Sequence, residues 1–223
     1  MFNFFKAKNK KSNASESKSD SDNGKPDVPP GARVYMRSDE EMAVLDKKAA
    51  DAAFKKQKKE FDRFMDSKGF YKYKTHAYVR VNRVNVLNYI NLQKEQYGSK
   101  TFTVNISMMP LYIPRDYIVF GLGRRISYFL NMGNLWFDFA DEEAAEKSFN
   151  SVKNAIEQYV IPWFDQYNDN EVLRAELSER VVKGFMPKLD QPWLDAIDSY
   201  NSSDGIIKDN IERLKLPVKM FDD

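Results

Sequence analysis

The chain has 223 residues, 42% hydrophobic and 14% aromatic, with 35 basic side chains against 33 acidic ones. That supplies a core, while a formal net charge of +2 lacks the basic excess of a nucleic-acid binder, so no nucleic-acid partner is expected. Cysteine is absent and His76 is the one histidine, which excludes disulfides, thiolate nucleophiles, zinc fingers and metal sites built on two imidazoles. No cofactor is expected, and a cysteine-free chain suits a reducing cytoplasm.

Residues 1–37 read as a disordered tail. Lys6–Lys25 is dominated by Lys, Ser, Asn and Asp, and burial of such a stretch cannot offset its ordering entropy. At its start, Phe2, Phe4 and Phe5 precede Lys6, Lys8, Lys10 and Lys11, a pattern that fits weak contact with a membrane surface. The simpler reading is an untethered terminus. No segment approaches the roughly 18–20 apolar residues of a transmembrane span, and the first residues lack the pattern of a secretory signal.

Order is expected from Ser38, where Ser38-Asp39-Glu40-Glu41 has capping-box spacing. A long helix follows, with Met42, Leu45, Ala49, Ala52, Ala53, Phe61, Phe64 and Met65 at helical spacing, and Gly69 and Phe70 end it. Strands are predicted at Tyr73–Val81, Val84–Gln93 and Thr101–Met109, then at Arg124–Phe129 and Leu135–Phe139. Alternation is clearest in the third, where Phe102, Val104, Ile106 and Met108 interleave with Thr101, Thr103, Asn105 and Ser107. Asp141-Glu142-Glu143 opens a helix with the stripe Ala145, Phe149, Val152, Ile156 and Tyr159, which Pro162 should end or kink. Residues 168–223 read as a helical extension cut by Pro187, Pro192, Gly205 and Pro217, docking through Trp193, Leu194 and Ile197. The expected fold is therefore α+β, an antiparallel sheet packed on one face by helices. The expected divisions are a tail (1–37), an α+β domain (38–167) and the extension (168–223).

The order of landmarks resembles the bacterial domain-of-unknown-function family 4304 over about residues 50–180. The resemblance rests on Lys68-Gly69-Phe70, Tyr89-Ile90-Asn91-Leu92-Gln93-Lys94 and Phe102-Thr103-Val104-Asn105-Ile106. It continues through Arg125-Ile126, Trp136 and Val160-Ile161-Pro162-Trp163-Phe164. The chain departs from the family pattern at Ser127, often glycine there, and at Phe137, where a second tryptophan is common. The resemblance implies a small α+β domain and carries no activity with it.

Alternation gathers Tyr78, Arg80, Asn91, Gln93, Asn105, Arg125, Trp136 and Asp138 on the non-core sheet face, with Thr103, Ser107 and Ser127 between them. Amides offer donor and acceptor together, arginine a planar fork, and Trp and Tyr stacking area. That set suits a polar protein partner, although an ordinary solvated face with an Arg80–Asp138 or Arg125–Asp138 ion pair gives the same pattern. The first reading is a non-enzymatic binding module, immunity-like or antitoxin-like by analogy. The competing one is a hydrolase or nuclease-like enzyme with Asp138 as base or metal ligand and Arg80 or Arg125 holding an anion. His76 reads as a strand residue with a satisfied ring, and Gly121-Leu122-Gly123 as a turn rather than a phosphate loop.

Overall fold

The computed structural model describes residues 30–34, 47–96, 98–198 and 203–221. The expected capping box at Ser38, the cluster at Phe2, Phe4 and Phe5, and most of the expected tail lie outside these residues. One part of that tail does not. Ala32–Val34 is a strand, β1, and the chain just before it is held by Ser148, whose hydroxyl donates to the Gly31 carbonyl at 2.8 Å. Three residues gave too short a pattern to mark a strand; the ladder that makes them one comes from a partner about a hundred residues away.

Helix α1 (Lys47–Ser67) buries Ala50, Ala53, Phe54, Phe61 and Met65 along one stripe. It ends as expected at Gly69, whose φ of +75° lets Phe70 N–H reach the Met65 carbonyl at 3.0 Å while the Phe70 ring folds into the core. The predicted strand Tyr73–Val81 is instead a hairpin, β2 (Tyr71–Lys74) and β3 (Ala77–Val81), turning at Thr75-His76. Neither Gly nor Pro marks that turn. Strands β4 (Val86–Lys94) and β5 (Thr101–Pro110) form the long central pair with Ile90 opposite Ile106. The predicted strand Arg124–Phe129 stops early: β6 (Leu122–Arg125) runs straight into a single helical turn, α2 (Ile126–Phe129), before β7 (Leu135–Asp138).

Among the described residues the strands make one antiparallel sheet in the order β1-β7-β5-β4-β3-β2. Strand β6 shares the β5 edge with β7: Asn105 pairs with Arg125, and Thr101 with Asp138. Helices α1 and α3 (Glu142–Ala155) pack on one sheet face. Between them lies an aromatic cluster in which the Phe102 and Phe149 rings are 4.9 Å apart and Phe54 meets both edge-on. Asp141 caps α3 by accepting from Ala144 N–H at 2.8 Å. Pro162 neither ends nor simply kinks the helix. The chain widens into a π turn at Ile156–Val160 and continues as α4 (Ile161–Gln166), so the missing proline N–H falls where the ladder is already interrupted. The wide turn also shifts the helical phase, burying Val160 and leaving Tyr159 45% exposed, contrary to the expected stripe.

The extension contributes α5 (Asn170–Val182), α6 (Pro187–Ala196), α7 (Asp204–Leu214) and a 3₁₀ turn at Val218–Phe221. Trp193 and Ile197 dock as expected, with the Trp193 indole donating to Tyr112 Oη at 2.7 Å. The extension also reaches the second sheet face. Tyr73 Oη donates to the Leu214 carbonyl, and Asn210 bridges the Leu111 and Ile113 carbonyls, so Val79, Leu87 and Met109 are buried there.

Candidate functional site

Beyond the part that the extension covers, the second face carries half-buried Asn91, Gln93, Asn105 and Trp136, buried Thr103 and Asp138, and exposed Arg125. Cross-strand register places Asn91, Asn105 and Arg125 in one row across β4, β5 and β6, with Gln93 and Thr103 paired in the next. Asn105 Nδ2 donates to Gln93 Oε1 at 2.8 Å, and Asn91 Nδ2 to the His76 carbonyl at 3.2 Å. At the sheet edge Asn134 Oδ1 accepts from both Arg125 Nη1, at 2.7 Å, and Trp136 Nε1, at 3.2 Å. The Arg125 guanidinium lies 5.7 Å from the Trp136 ring centroid. Asn134 thus aligns the cation and the indole while contributing no charge. Among the described residues no carboxylate pairs with Arg125, whereas Arg80, Arg124, Arg174, Arg180 and Arg213 each meet an acid. In the next row the Thr103 hydroxyl is fully buried and has no hydrogen-bond partner among the described residues. At the opposite end Tyr89 and Phe120 meet edge-on at 5.6 Å, with Phe120 and Tyr117 exposed.

Six of the eight expected residues therefore share this face: Asn91, Gln93, Asn105, Arg125, Trp136 and Asp138. Asp138 is nearly buried, and its carboxylate accepts from Ala140 N–H at 2.8 Å, steering the chain towards the α3 cap. Tyr78 and Arg80 belong to the other face. Tyr78 pairs with Ile90 and Arg80 with Asn88, which puts both under the helices. The Tyr78 hydroxyl donates to Asp62 Oδ1 at 2.7 Å, and burial followed by that carboxylate drives its pKa far above the ordinary phenol value. Burial opposes ionisation of Asp62, but hydrogen bonds from Lys58, Tyr78 and Lys72 outweigh it and hold its carboxyl below the usual range. Arg80 pairs with Asp165 at 2.6 Å and lies over the Phe70 ring, so the expected Arg80–Asp138 pair does not form. Ser127 sits in α2, off the sheet. His76 is a turn residue whose Nδ1 is buried without a partner among the described residues, so its ring is not satisfied as expected.

Sequence reasoning missed Asn134, and with it the link between Arg125 and Trp136. The available signal was an amide two residues before the tryptophan, in the Gly133-Asn134 turn that opens β7. Tyr89 was visible in the alternation of β4 but was not counted as part of the site.

The fold and this face define an α+β domain with a mixed aromatic, amide and arginine surface on an antiparallel sheet. Residues 61–166 match the family model described as Domain of unknown function (DUF4304), so this stretch is similar to that family. The match runs from the second half of α1 to the end of α4 and takes in the Asn91–Asn105–Arg125 row; β1 and the C-terminal extension lie beyond it. No curated protein and no solved structure matches the chain.

Proposed function

We propose that this chain is a non-enzymatic binding protein of the bacterial cytoplasm. It captures a protein partner on the amide-rich half of the second sheet face, through Asn91, Gln93, Asn105, Arg125 and Trp136. The observation that carries the reading is the neutral brace on Arg125: Asn134 fixes the guanidinium against Trp136 without supplying the counter-charge. An oriented arginine beside an indole is a favoured interface anchor, because both side chains bury large area and the fork accepts a carboxylate from the partner. The amide row would fix register by pairing with backbone groups of that partner. An immunity-like or antitoxin-like role fits such a surface by analogy.

The test is capture from the native host extract, with the wild type carrying a photo-crosslinker at Gln93. Arg125→Ala and Trp136→Ala should each weaken capture by about 2 kcal/mol while leaving the circular dichroism spectrum unchanged. If both variants capture the same proteins as the wild type, the face is merely solvated. Turnover of a phosphodiester or ester substrate that disappears in Asp138→Asn would favour the hydrolase reading instead.

A further inference from the structure

We infer that the turn joining α5 to α6 is a membrane-docking tip, in which apolar side chains flanked by lysines insert among the headgroups of an anionic bilayer. Val182 is 86% exposed, Phe185 63% and Met186 44%, and all three fall within five consecutive residues. A scattered exposed apolar residue needs no explanation, but a contiguous exposed set does.

The protein supplies its own comparison. Helices α1 and α5 end in the same backbone motif, a glycine at positive φ followed by an aromatic residue whose N–H bonds five residues back. At α1 these are Gly69 and Phe70, bonded to Met65; at α5 they are Gly184 and Phe185, bonded to the Arg180 carbonyl at 3.1 Å. In that motif the residue after the glycine commonly packs on the last turn. Phe70 does so and is 1% exposed, whereas Phe185 points away.

The outward tip is also held in place. Arg180 and Asp190, one on each helix below the turn, form a buried ion pair, and the Met186 carbonyl receives the Leu189 and Asp190 N–H groups. Lys183 and Lys188 flank the apolar residues, and residues 182–189 contain no acid. Lys183 pairs with Glu179 one turn below. A convex knuckle of three apolar side chains offers far less than the roughly 800 Å² per partner of a stable protein interface. The same few side chains suffice for interfacial insertion, with lysines adding attraction to anionic headgroups. The sequence carries a second element of this chemistry in Phe2, Phe4 and Phe5 followed by Lys6, Lys8, Lys10 and Lys11.

The cysteine-free chain allows a direct experiment. Full-length Met186→Cys, labelled with an environment-sensitive fluorophore, should shift to the blue on phosphatidylcholine vesicles containing roughly a third phosphatidylserine, and not on pure phosphatidylcholine. The same label at Asn150→Cys on α3 should not respond. In the unlabelled chain, Val182→Ser combined with Phe185→Ser should reduce co-sedimentation with the anionic vesicles about tenfold or more, with an unchanged circular dichroism spectrum. Absence of the blue shift, or co-sedimentation insensitive to the double substitution, would overturn the inference. So would a double variant that no longer folds, or one that loses self-association in ultracentrifugation while the wild type ignores vesicles; the last result would make the tip a protein contact.

Discussion

Arg180 and Asp190 face each other across the base of the α5–α6 turn, Nε to Oδ2 at 3.0 Å, with both side chains buried. Arg180 Nη2 also donates to the Gly121 carbonyl at 3.4 Å, tying the extension to the start of β6. Removing one partner strands the other charge in a dry site. Asp190→Ala should therefore cost about 3 kcal/mol or more in urea unfolding. A midpoint equal to wild type would show that the pair is not buried in solution.

Asn88 presents the opposite case. It is fully buried on the helix-packed face, opposite Arg80 and Met108, and neither its Nδ2 nor its Oδ1 has a partner among the described residues. A buried amide without hydrogen bonds carries its desolvation penalty uncompensated. Asn88→Leu, with the same branching and number of side-chain heavy atoms, should raise stability by about 1–2 kcal/mol in the same measurement. A lower midpoint would mean that the amide makes bonds in solution.

Gly31 is confined by both conformation and space. Its φ is +79°, and a Cβ there would lie 2.5 Å from the Ser148 backbone nitrogen. Gly31→Ala should thus push β1 away from β7 and from α3. Hydrogen exchange offers a local readout, because Asp138 N–H donates to the Gly31 carbonyl at 3.0 Å. That amide should exchange faster in the variant, while those of the β4–β5 ladder keep their protection. Unchanged protection at Asp138 would show that β1 tolerates the side chain.

His76 provides a clean pH probe because it is the one histidine of the chain. Burial, aided by the charges of Lys58, Lys94 and Lys72, lowers its pKa from the ordinary 6.5. The unfolded chain then takes up the proton at a higher pH than the folded one. The resulting stability is present above about pH 6.5 and is lost as pH falls through the folded value. Unfolding free energy should decline from pH 7 towards pH 5, and His76→Gln should flatten the decline. An equal slope in the variant would assign it to other groups.

Much of the fold was legible in local pattern. The alternation of β5, the Asp141 cap and the Gly69-Phe70 ending are written in neighbouring residues, because strand period, cap chemistry and positive φ are properties of a few consecutive positions. Even the shared face of Asn91, Gln93 and Asn105 follows from alternation within β4 and β5 once these two strands pair.

Alternation fixes sides only within one strand, and relating strands to each other needs their register. Tyr78 and Arg80 are expected on the amide face for this reason, whereas the β3–β4 register pairs them with Ile90 and Asn88 and turns them towards Asp62 and Asp165. The sequence by itself determined the bodies of the two long helices α1 and α3, the central strand pair and the absence of thiol chemistry. Only the tertiary structure decided that Asn134 joins Arg125 to Trp136, that Ala32–Val34 completes an edge, and that Phe185 stays outside while Phe70 goes in. Each of these depends on which distant group arrives alongside, and chain-local periodicity carries no record of that.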